Sequence, residues 1–154
     1  MSSNSRFRYA LQPVLLTRQW ELDALLQDLA DINNRLAGCR QAVAQLTQQM
    51  QDVSSAWQAE NAQGASLTPD RFALVTRYLG DLAAQRQQRE QQLTAIEQQR
   101  EEMIDRVAKA RRALDAAEEH RDAELVKFNR EQASGQFKDA DDQWSNAQTG
   151  RHDD

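Results

Sequence analysis

From Leu15 onward an apolar residue returns at alternating steps of three and four: Leu15, Leu22, Leu25, Leu29, Ile32, Leu36, Cys39, Val43, Leu46, Met50, Val53 and Trp57, with Arg18 as the one polar member of the frame. Such spacing holds a narrow apolar stripe on one side of a helix, the seam of a left-handed coiled coil. It is sustained far longer than a single globular helix requires. Pro13 suits a first helical turn, and no further proline interrupts the chain before Pro69. The pattern predicts a first helix over residues 11–60, a rod of roughly 70 Å at about 1.5 Å per residue.

Residues 61–68 break the period. Gly64 can end a helix in the left-handed conformation. Thr68-Pro69-Asp70 reads as a new start, with Thr68 as N-cap, Pro69 in the first helical position and Asp70 favourable to the helix dipole. A second series follows at the same period: Phe72, Val75, Leu79, Leu82, Arg86, Arg89, Leu93, Ile96, Arg100, Met103, Val107, Ala110, Leu114 and Ala117. Folding about the turn brings Trp57 near Phe72, Met50 near Leu79, Leu36 near Leu93, Leu22 near Val107 and Leu15 near Leu114, to within one helical turn. After Ala117 the phase is lost: Arg121 sits where an apolar residue is due, and Leu125 follows by a second step of four, a stutter, before Phe128.

The predicted fold class is all-α: a long antiparallel two-helix coiled-coil hairpin with a disordered C-terminal tail. Residues 1–10 form a flexible basic arm, 11–132 the hairpin (helices 11–60 and 69–132, turn 61–68), and 133–154 an acidic tail. That tail carries five Asp against Lys138 and Arg151 and contains Gly135 and Gly150, a composition of disorder. Phe137 and Trp144 are its candidate docking anchors.

Composition agrees with helices. Of 154 residues, 5 are Gly, 2 are Pro and 21 are Gln, and the 40% hydrophobic share is partly Ala, enough for a thin seam but not a thick core. Basic and acidic residues, 19 against 24 with a net charge of −5, are interspersed, which argues against a nucleic-acid binder. A single cysteine excludes an intramolecular disulfide and suits a reducing cytoplasm. No stretch reads as a signal peptide or a membrane span.

Little points to catalysis, metal or cofactor chemistry. His120 and His152 lack a Cys or His at ligand spacing and read as solvated side chains. Cys39 falls on the seam as a small buried thiol. Pairs such as Glu101-Glu102 are adjacent on a helix and point apart. No glycine is placed for a phosphate loop. An enzyme is disfavoured and no cofactor is expected. Arg86, Arg89 and Arg100 admit two readings: aliphatic stems that cover the seam while the charges reach water, or polar positions that fix register at a cost in stability.

Two regions look built for contact. Near the turn, Phe72, Val75, Leu79 and Leu82 fill the stripe and leave Leu74 and Tyr78 flanking it. At the other end, residues 1–20 hold Arg6, Arg8 and Arg18 and no acid, with Phe7, Tyr9, Leu11, Val14, Leu16 and Trp20 beside them. Exposed aromatics with basic neighbours are candidate anchors for a protein partner.

The run Phe7-x-x-x-Leu11-Gln12-Pro13-Val14-Leu15-x-x-Arg18-x-x-Glu21 resembles the start of the FliJ/YscO family of type III secretion stalk proteins. Asp70-Arg71-Phe72 through Tyr78-Leu79 to Leu82 is similar to that family's aromatic pattern after its hairpin. The resemblance covers roughly residues 6–132. It implies a non-enzymatic cytoplasmic stalk, peripherally associated with the inner-membrane secretion apparatus, that enters and stimulates the hexameric secretion ATPase. It also implies contact with the cytoplasmic domain of the export gate and, as a further possibility, with export chaperones, without nucleic acid or membrane insertion. Carried over by residue, Leu74, Tyr78, Leu79 and Leu82 would face the gate, and Phe7, Leu11, Arg18, Leu125 and Phe128 the ATPase ring. The acidic tail and the Leu74-Val75-Thr76 run depart from the flagellar pattern, which leaves flagellar and injectisome membership both open. The alternatives are an export chaperone or escort, and a homo-oligomeric structural coiled coil in which the mid-seam arginines meet acids of another chain.

Overall fold

The computed structural model describes residues 6–64 and 68–151. Among them the chain forms an all-α helical hairpin of two packed helices without strands, α1 (Gln12–Ala62) and α2 (Pro69–Thr149). Helix α1 opens where the Tyr9 and Leu11 carbonyls accept the amides of Gln12 and Leu15, both at 3.1 Å. Pro13 thus lies in the first turn, where a missing N–H leaves no intrahelical bond unmade. Beyond α1 the Asn61 carbonyl accepts the Gly64 amide at 3.3 Å, and Gly64 takes φ of 76°, the left-handed conformation foreseen for it. Residues 65–67 of the predicted turn lie outside the described residues. The Thr68 carbonyl accepts the Phe72 amide at 3.1 Å and starts α2 at Pro69.

The chain divides into two units, each holding a piece of both helices: Ala24–Val107, and Met1–Asp23 with Ala108–Asp154. In the first, Ile32, Leu36, Cys39 and Leu82 are buried, and the remaining predicted seam residues from Leu25 to Trp57 and from Val75 to Val107 are half-buried, apart from Arg89. Full burial of a leucine contributes about 1.5–3 kcal/mol, so this stripe carries the hairpin. The Trp57 and Phe72 rings meet at 6.1 Å between centroids, as the expected register requires. Phe72 itself is exposed and covers the stripe from one flank.

Arg89 does not lie in the seam. Its guanidinium is exposed and donates to Gln92 Oε1 at 3.2 Å, while its backbone carbonyl accepts the Cys39 thiol at 3.3 Å. A small side chain at position 39 reaches the facing backbone, so no side chain is needed at 89 to fill the layer. Arg86 and Arg100 stay half-buried, with Arg86 Nε 3.7 Å from Glu90 and Arg100 Nε donating to Asn33 Oδ1 at 2.8 Å.

In the second unit Leu15 and Leu22 are buried and Leu114, Ala117, Arg121, Glu124 and Phe128 are half-buried. Steps of three and four therefore continue unbroken, and the expected stutter does not occur. Arg121 and Glu124 bring aliphatic stems to the seam, and Leu125 falls outside it. Arg18 is exposed as well, paired with Glu21 at 3.2 Å, and the neighbouring Gln19 is half-buried in its place. An uncharged amide costs less to desolvate than a guanidinium.

The expectation of a disordered tail is corrected here, and the basic arm has contacts of its own. Residues 6–10 of the basic arm lie against α2: the Phe7 ring stands 5.4 Å from that of Phe128, and the Tyr9 hydroxyl and His120 Nδ1 share a hydrogen bond. Residues 1–5 lie outside the described residues. The acidic tail is helical to Thr149, and the Asn146 carbonyl accepts the Gly150 amide at 3.1 Å. Extending an existing helix adds a hydrogen bond per residue without a new nucleus. No proline interrupts residues 133–149, and a lone Gly135 costs only about 1 kcal/mol. Low hydrophobicity argued against a core, which this stretch does not form: all of residues 133–149 are exposed. The last part of the tail, residues 152–154 with His152, lies outside the described residues.

Candidate partner-binding surfaces

In the unit that contains the turn, Leu74 and Tyr78 lie one helical turn apart on the same flank of α2, 69% and 49% exposed. Leu79 is half-buried and Leu82 only 4% exposed. Of the four residues assigned to an export-gate surface, two form an open apolar face and two hold the hairpin beneath it. The distinction was already in the sequence, because Leu79 and Leu82 belong to the 3–4 series and Leu74 and Tyr78 do not. A salt bridge of 2.6 Å between Arg71 and Glu60 ties the two helices beside this face.

The residues assigned to the ATPase ring fall in the other unit and divide in a similar way. Phe7 and Phe128 are half-buried against one another. Leu11, Arg18 and Leu125 are exposed, together with Val14, Leu16 and Trp20. Leu16 and Trp20 repeat the i, i+4 spacing of an open flank. Val126, outside the seam frame and not among the residues expected to make contact, is exposed as well. Phe7, Arg8, Tyr9, Gln12 and Arg121 line a shallow cleft between the arm and α2. His120, read as solvated, is exposed yet engaged: besides Tyr9 it faces Glu124, with Nε2 3.9 Å from Oε1.

Between the helices in the turn-containing unit runs a groove lined by Gln45, Gln49, Gln85, Gln88 and Gln92 with Arg89. Its amides are neutral and point along the solvent face of the seam. They offer hydrogen bonds but no acid, base or nucleophile. Cys39 is buried, donates its thiol to the Arg89 carbonyl, and lines a neighbouring cleft with Arg35, Arg89 and Gln92. Among the described residues no three His, Cys, Asp or Glu side chains converge on one point, and no helix is long and apolar enough to cross a membrane. No protein family, curated protein or solved structure matches the chain.

Proposed function

We propose that this chain is a non-enzymatic central-stalk component of a bacterial type III protein secretion apparatus, linking and stimulating the secretion ATPase and contacting the export gate. The observation that carries the reading is the hairpin with exposed apolar side chains in two separate units: Leu74 and Tyr78 in one, Leu11, Val14, Leu16 and Trp20 in the other. Two distinct apolar faces, one in each unit, suit a connector. The Phe7-to-Glu21 and Asp70-to-Leu82 resemblances supply the identity of the two partners. On this reading the protein acts in the cytoplasm, at the inner-membrane apparatus.

The test uses a secretion assay and stimulation of ATP hydrolysis by the purified hexameric ATPase. Leu74→Ala with Tyr78→Ala is expected to lower secretion at least tenfold while keeping helix content and ATPase stimulation. Leu11→Ala with Trp20→Ala is expected to abolish the stimulation. Unchanged secretion and unchanged hydrolysis in both pairs would remove the stalk assignment.

An escort role for exported clients draws on the same exposed aromatics and predicts binding of unfolded substrates with no effect on ATP hydrolysis. An assembly joined through the mid-seam arginines is less supported, because Arg86 and Arg100 meet Glu90 and Asn33 of their own chain.

A further inference from the structure

Helix α2 carries a second stripe that its seam does not use. Ala133, Phe137, Ala140, Trp144 and Ala147 follow one another at steps of four and three, and Arg130 precedes them by three. Every one is exposed, Phe137 at 79% and Trp144 at 62%. Arg130 stands two residues beyond Phe128, which at about 100° per residue turns the stripe to the side opposite the α1 arm. The approach is open from that side. With Phe137 and Trp144 in the a positions and the alanines in the d positions, the flanking e and g positions are Ser134, Gln136, Asp141 and Gln143. Lys138, Asp139 and Asp142 lie on the outer face.

We propose that this stripe pairs antiparallel with the same stripe of a second copy of the chain. The inference is independent of the stalk reading. In an antiparallel pair each a position meets a d position. Phe137 then packs on Ala140 of the second copy and Trp144 on Ala133, large against small in every layer, which fills the seam evenly. A parallel pair would set Phe137, Trp144 and Arg130 each against itself, alternating overfilled layers with alanine layers that leave voids and opposing two guanidiniums.

Charge selects the same register. With Phe137 over Ala140, Gln136 lies beside Gln143 of the second copy, a neutral hydrogen-bonding pair, and Asp141 lies beside Ser134. A slip of one heptad one way would set Asp141 against Asp141, and the other way would move Trp144 from Ala133 onto Val126, large against large. Arg130, at the end of the stripe, lies on Ala147 of the second copy, and Lys138, Asp139 and Asp142 sit where a partner helix does not reach. Four aromatic side chains bury roughly 600–1,000 Å2. That is below the about 1,200–2,000 Å2 of a stable interface, so the pair is a weak, reversible one.

Sedimentation equilibrium of the full chain from micromolar to millimolar concentration tests the pair, with far-UV ellipticity as a check on folding. The wild type is expected to pass from monomer to dimer, and Phe137→Ala with Trp144→Ala to remain monomeric with unchanged helix content, since both sites are exposed. Ser134→Lys, which faces the second copy's Asp141 twice per pair, is expected to tighten association several-fold, and Ser134→Asp to weaken it. A wild type that stays monomeric at millimolar concentration overturns the proposal and leaves the stripe to a helix of another protein. Dimers that survive the double alanine variant, or that are indifferent to the sign of the charge at 134, overturn it equally.

Discussion

At the scale of single residues, the hairpin separates side chains that hold it from side chains that only adorn it. Leu82 and Tyr78 are one turn apart, yet one is buried and the other half in water. Leu82→Ala is expected to cost about 2–5 kcal/mol in urea denaturation, the range for truncating a buried leucine. Tyr78→Ala should stay within about 0.5 kcal/mol of the wild type. Two glycines make a matching contrast. Gly64 at φ of 76° occupies a conformation that a Cβ penalises, so Gly64→Ala should lower stability by about 1–2 kcal/mol. Gly80 lies inside α2 with nothing within 4 Å of an added Cβ, and Gly80→Ala should raise stability by about 0.5–1 kcal/mol. Opposite shifts of the denaturation midpoint would show that the turn and the helix use glycine for different reasons.

At the scale of the helices, periodicity was the legible part. The 3–4 series placed Leu22 through Trp57 and Val75 through Val107 on the facing stripe, and Pro69 and Gly64 marked the break, because spacing and backbone stereochemistry act locally. What escaped the reading depended on the facing helix or on cooperativity. Arg18 yields its place to Gln19, and Arg89 to its own backbone under Cys39, for reasons visible only with the partner helix in position. Leu79 and Leu82 show how a resemblance can assign to a surface what the periodicity had already assigned to the core. The tail was misjudged because composition reports the absence of a core, whereas a helix once nucleated needs none. The half-buried arginines remain the weak layers of the seam. Arg86→Leu exchanges an exposed i, i+4 pair with Glu90, worth about 0.3–0.5 kcal/mol, for apolar burial. It should stabilise the hairpin by about 1 kcal/mol in the same urea titration.

At the scale of the whole molecule, the contacts are ordered by their separation along the chain. Arg71 and Glu60 are 11 residues apart, Cys39 and Arg89 are 50, Arg100 and Asn33 are 67, and Tyr9 and His120 are 111. Closing a short loop costs less entropy than closing a long one, so pairing is expected to start at the turn and proceed outward. A chain shortened to end at Arg112 lacks both Phe128 and His120, and limited trypsin digestion should then cut at Arg6 and Arg8 much faster than in the full chain. The same order has a consequence during synthesis. The residues that the arm lies against are made more than a hundred positions after it, beyond the turn and most of α2. A nascent chain therefore carries Phe7 and Tyr9 without a seat for several seconds, at about 5–20 residues per second. During that interval the basic, aromatic arm is open to whatever meets the growing chain.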